Sequence, residues 1–250
     1  MQLILSPAKR LDFESKPKFD KSTQPVFLKE SEILIRELRK RSKSELKEMM
    51  GISGQLAELN AERYQNWQRP FTNDNAKQAA LAFNGEVYEG LDANTLSMDD
   101  MDFAQNHMFI LSGLHGILRP LDLIQPYRLE MGSKFKTEQW KNLYDFWGNK
   151  ITEVINHTGD ATLINLASQE YFKAVHRKEL KADVITPVFK ELKGDKLKSV
   201  SFYAKKARGL MSRFIIQNRI KDPEEIKAFD IDGYRYHESL SDDKNWLFTR

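Results

Sequence analysis

Ala161-Thr162-Leu163-Ile164-Asn165-Leu166-Ala167-Ser168-Gln169-Glu170-Tyr171-Phe172 passes from an apolar run into a polar turn and then into a helical pattern. Ala161 to Leu166 has the composition of a buried strand. Ser168 has the right chemistry to cap a helix, and Glu170 suits the positive end of a first turn. A strand feeding a helix in this way is the repeating unit of an open α/β sheet, whose ligands gather beyond the strand ends. The polar residues therefore carry two readings. Asn165, Ser168, Glu170 and Tyr171 line a pocket, with Glu170 a general base and Asn165 a reader of a base or sugar edge. Alternatively, Ser168 and Glu170 serve only the helix start.

Strand and helix signals recur on both sides of this unit. Leu3 to Leu5 predicts an opening strand stopped by Pro7, with Lys9, Arg10 and Asp12 on the loop beyond it. Leu28, Ile33, Leu34 and Leu38 fall at helical spacing up to Lys40, and Ser44 to Trp67 reads as two helices parted by Gly51-Ile52-Ser53. Strands are predicted at Ala80 to Phe83, Met108 to Leu111, Val184 to Phe189 and Ser199 to Tyr203. Helices are predicted at Met98 to His107, Thr137 to Ile155 and Ala204 to Ile220. The expected fold is α/β, a single compact domain over residues 1–250 with a mixed central sheet flanked by helices. No repeat, low-complexity tract or linker argues for cutting it.

Composition narrows the chemistry. The chain has 250 residues, 40% hydrophobic and 30% charged, a globular balance with a formal net charge of only +3. That excess is too small to diagnose a polyanion binder, so the position of the charges must decide. With no cysteine, disulfides, thiolate metal sites and thiol catalysis are excluded. No apolar run approaches the roughly 20 residues needed to span a bilayer. A cytoplasmic location without membrane association is expected.

The segment Ser201 to Phe214, which runs into the helix predicted from Ala204, has an amphipathic pattern. Ala207, Leu210, Met211 and Phe214 share one stripe; Lys205 and Arg208 lie opposite, flanked by Lys206 and Arg213. Cations in the first turns oppose the helix dipole unless an anion such as phosphate sits there. Gly209 in mid-helix costs about 1 kcal/mol relative to alanine and implies the close approach of a backbone or a ligand. An ordinary solvated basic face is the competing reading. Leu46 to Ala57, with Gly51, Ile52 and Ser53 at its turn, has the outline of a helix-hairpin-helix element, which grips DNA through backbone amides. Its simpler reading is an αα-corner with Ser53 as N-cap. Arg119 and Arg128, on the Pro-punctuated stretch Leu118 to Gly132, either pair with Asp122 and Glu130 or bind phosphate beside Lys9 and Arg10.

The five histidines (107, 115, 157, 176 and 237) show no metal-binding spacing, and no metal or cofactor is expected. No Walker loop, dinucleotide fingerprint or nucleophile elbow occurs.

Ser6-Pro7-Ala8-Lys9, Ala82-Phe83-Asn84-Gly85 with Val87-Tyr88, Leu118 to Gly132, Ile164 to Phe172 and Ser201 to Phe214 together resemble the YaaA family of bacterial peroxide-stress proteins. The resemblance spans nearly the whole chain and rests on long unbroken words. It implies a protein that acts during hydrogen peroxide stress, lowers free iron and binds double-stranded DNA. It also implies a family-specific fold with a positively charged cleft and a helix-hairpin-helix element. Lys205, Lys206, Arg208 and Arg213 would face that cleft beside Lys9, Arg10, Arg119 and Arg128. The first expectation is thus a DNA-binding protein contacting the phosphate backbone. The alternatives are an enzyme acting on a nucleotide or nucleic-acid base in the same cleft, and a protein-interaction module built from the N-terminal helices.

Overall fold

The computed structural model describes residues 1–194 and 196–250. The chain opens with β1 (Gln2–Leu5) and β2 (Arg10–Leu11), followed by α1 (Leu28–Arg39), α2 (Lys43–Met50) and α3 (Gly54–Asn66). Short elements come next: β3 (Lys77–Gln78), α4 (Ala79–Ala82), β4 (Phe83–Asn84) and α5 (Glu86–Leu91), then α6 (Met98–His107). The central part holds β5 (Met108–Ser112), β6 (Gly116–Leu118), β7 (Leu123–Ile124), α7 (Leu143–Trp147) and α8 (Lys150–His157). The remainder is β8 (Thr162–Leu166), α9 (Gln169–Phe172), β9 (Asp183–Lys193), β10 (Lys196–Lys198), α10 (Ser201–Gln217), β11 (Arg235–Tyr236) and β12 (Asn245–Thr249).

The central sheet has the order β11-β12-β9-β8-β1-β5-β6, with β10 paired to β9. Its middle is parallel: β12 with β9, β9 with β8, β8 with β1, and β1 with β5. The outer pairs β11–β12 and β5–β6 are antiparallel. This is the mixed, helix-flanked sheet that the sequence pattern predicts. Leu3, Ile4 and Leu5 of β1 are all fully buried, as a parallel strand covered on both faces must be. In the centre Ile4 lies opposite Phe109 on one side and Asn165 on the other. From β1 the chain goes to β5 on one flank and later returns to β8 on the other. The order therefore reverses at β1, and a crevice opens beyond its carboxyl end.

Three local expectations are corrected. Ala80 to Phe83 is not a strand; Ala79 to Ala82 form a buried helical turn, whose leading amides donate to the carbonyls of Asp122 and Pro120. Alanine favours a helix, and only Phe83–Asn84 extend, against Arg10–Leu11. Thr137 to Ile155 is not one helix. Asn142 Oδ1 accepts the Asp145 N–H to start α7, and Gly148, at φ 46° and ψ −131°, breaks it from α8 in a conformation that favours glycine. Ser199 to Tyr203 is not a strand either, because α10 already begins at Ser201. Its aromatics mislead a propensity reading: Phe202 is exposed, and the Arg250 guanidinium lies 4.5 Å over the Tyr203 ring. β12, which the pattern reading does not predict, brings Leu247 and Phe248 into the core.

Candidate functional site

The crevice beyond β1 and β8 is a cavity of about 530 Å³. Its walls come from the exit of β1 (Ser6 to Arg10), the start of α5 (Asn84 to Tyr88), the segment Tyr127 to Glu130, the turn after β8, and Lys205 and Arg208 of α10. Hydrogen bonds fix its base. Ser6 Oγ accepts the Ser168 N–H at 2.8 Å, and the Ser6 carbonyl accepts the Tyr88 hydroxyl at 3.0 Å. Ser168 thus ties two strand ends together, and its side chain does not cap α9.

The position of α10 depends on two glycines. A Cβ on Gly209 would come within 1.8 Å of the Val87 carbonyl oxygen, and one on Gly90 within 2.2 Å of the Lys206 carbonyl oxygen. The two helices therefore cross backbone to backbone, which is the close approach that Gly209 implied. With α10 pressed onto α5, Lys205 and Arg208 reach the cavity.

Five of the eight predicted cations, Lys9, Arg10, Arg128, Lys205 and Arg208, line this cavity. Glu130 serves two of them, accepting from Lys9 at 2.8 Å and from Arg128 at 2.7 and 3.0 Å. Burial pushes the Glu130 carboxyl up, but these hydrogen bonds outweigh it and hold it below the usual carboxylate range. Arg10 and Lys205 make only loose pairs, at 4.0 Å with Glu89 and 3.8 Å with Glu86. Arg208 differs from all of these. Its Nε is buried without a hydrogen-bond partner, and among the described residues its guanidinium has no ion pair. Desolvation lowers its pKa, yet a guanidinium keeps its proton at any physiological pH. Against the five cations stand Glu86, Glu130 and Glu170 in the lining and Glu89 facing Arg10 from just outside it, so the cavity and its mouth are net positive.

The other predicted residues lie elsewhere. Arg119 is held by buried Asp122 at 3.0 Å. Arg213 donates to the carbonyls of Leu91 and Asp92, closing the end of α5, and Lys206 stands outside the lining. Of the four polar candidates in β8 and the turn after it, Ser168, Glu170 and Tyr171 reach the cavity. Glu170 accepts the Gly132 N–H at 2.8 Å. Asn165 is buried beneath the turn, where its Oδ1 accepts the Ala167 N–H at 3.1 Å and its amide donates to Thr186 at 3.3 Å. At the Gly51–Ser53 turn, the amides of Gly51 and Ile52 both donate to the Lys47 carbonyl, and Ser53 Oγ caps α3. Gly51 shares a shallow depression with Gly132 and Glu170, adjacent to the main cavity.

Of the cavity's aromatic wall, sequence reasoning named Tyr171 and missed Tyr88 and Tyr127. Tyr88, Tyr127 and Tyr171 are each at most 7% exposed, and burial raises all three hydroxyl pKa values, so they stay protonated donors. The available signal was positional, because Tyr88 follows Gly85 at the first turn of α5 and Tyr127 sits between Pro126 and Arg128.

The model of the family described as peroxide stress protein YaaA matches residues 1–240. A UPF0246 protein of Hahella chejuensis is 53% identical over 254 residues, covering all of this chain and 99% of the relative. Similar proteins from Colwellia psychrerythraea (53%, covering 99% of the relative) and Neisseria gonorrhoeae (51%, covering 98%) match the whole chain as well. Among the described residues no helix is long and apolar enough to cross a membrane.

Proposed function

Because the chain belongs to the YaaA family of peroxide stress proteins, we propose that it binds double-stranded DNA through phosphate contacts at the cavity rim and so limits iron-dependent oxidative damage. One observation carries this reading: Lys9 and Arg10, Arg128, and Lys205 with Arg208 come from three distant parts of the sequence and meet around one opening. The side chains of Lys9, Arg10 and Lys205 are 64%, 73% and 48% exposed, so they can meet a duplex without entering the cavity. Cations of this kind neutralise phosphates and release counterions, and they read little sequence.

Titration of duplex binding against salt tests the proposal. Affinity should fall by orders of magnitude between about 50 and 200 mM salt. Arg10→Ala and Lys205→Ala should each flatten the log–log slope by about one. Binding indifferent to salt, or a slope unmoved in the double variant, would overturn it.

A further inference from the structure

Resting on the same reading of the cavity as a phosphate receptor, we propose that its interior holds a phosphomonoester of nucleoside size, with the phosphate on Arg208 and the nucleoside against the tyrosine wall. Size selects the phosphate type. A backbone diester continues in both directions and does not fit a cavity of about 530 Å³, whereas a phosphomonoester, at about −1.5 to −2 at neutral pH, ends there and meets a net positive lining. Arg208 is the anchor because, among the described residues, it is the lining cation without an internal carboxylate, and a desolvated guanidinium gains most from a bidentate oxyanion. Volume sets the size. A cavity of about 530 Å³ is ample for one nucleotide and far too small for a duplex, and it falls within the range of small-ligand pockets. The walls supply the rest of the recognition: Tyr88, Tyr127 and Tyr171, buried yet lining the cavity, close its apolar side, and Glu170 offers an acceptor at the rim. The location at the strand-order reversal is where open α/β sheets take such ligands. Two sources present this chemistry, a free nucleoside monophosphate and the phosphate-bearing end of a nucleic-acid strand.

The test titrates the intact chain with AMP, GMP, CMP and UMP, and with adenosine, 3′,5′-cyclic AMP and inorganic phosphate, by calorimetry and thermal melting. At least one monophosphate should bind about tenfold or more tighter than the nucleoside, the cyclic diester and phosphate. Arg208→Gln should weaken it by about thirtyfold, with partial rescue in Arg208→Lys. Monophosphates no better than the cyclic diester or phosphate would overturn the inference. So would unchanged affinity in an Arg208→Gln variant that still melts cooperatively; if that variant does not fold, the wild-type comparison decides alone. A 5′-phosphorylated duplex that gains about tenfold over a 5′-hydroxyl duplex assigns strand ends, and equal duplex binding with AMP retained assigns free nucleotides. Salt-dependent binding of the hydroxyl-ended duplex is a separate readout, so its failure would sink the DNA reading and leave this inference standing.

Discussion

His115 sits fully buried between the rings of Tyr127 and Phe71, with Nδ1 2.9 Å from Ser31 Oγ. Ser31 sends its own proton to the Phe27 carbonyl, so Nδ1 carries the ring hydrogen and Nε2 is left with a lone pair and no donor. Burial pushes the imidazole pKa from 6.5 down to about 3. Below pH 6.5 the unfolded chain takes up a proton that the folded one refuses, so stability is full above that pH and falls as acid is added. The expected loss is about 1.4 kcal/mol per pH unit, read from urea midpoints at successive pH values. His115→Gln should flatten that slope, and an identical slope in the variant would refute the assignment. Local sequence gave little warning at this scale. Arg119 and Arg128 read alike in the sequence, each near an acid, and only the fold separates them. Asp122 is buried and keeps Arg119 to itself, while Glu130 divides its oxygens between Arg128 and Lys9, a residue over a hundred positions away.

Among the elements, the crossing of α5 and α10 is the most demanding contact. Gly209→Ala would gain up to about 1 kcal/mol in helix propensity, yet its methyl would press on the Val87 backbone, which cannot swing aside. A net loss of about 2 kcal/mol is expected from denaturant unfolding, and a neutral or stabilised variant would show that the helices are not in contact there. Gly209 could be read in advance as a site of close approach because mid-helix glycine is costly. The partner could not, since Gly90 lies in a short helix with no periodic signal. The long helices α1, α3 and α6 were legible from their spacing. The misread segments fail for local reasons: exposed aromatics at the start of α10 imitate a strand, the alanines of α4 keep their helical preference inside an apolar run, and Gly148 interrupts an apparent helix.

Across the whole molecule, the parallel centre of the sheet was legible from its apolar runs, but the strand order was not, because order depends on which flank each crossover takes. That order brings the exits of β1 and β8 together and gives the cavity its position. It also leaves Glu130 between two cations at the rim. Glu130→Gln should raise duplex affinity at low salt and steepen the salt slope by about one, because Lys9 and Arg128 would then face outward unneutralised. The same change should lower stability at neutral pH, where the depressed carboxyl now contributes, and the difference should vanish as acid protonates the wild-type group. Measuring both quantities on one preparation checks the pair, and a variant that gained neither affinity nor slope would refute it. On the proposed reading a single acidic side chain is a brake on the grip, and releasing it would weaken the fold that makes the grip possible.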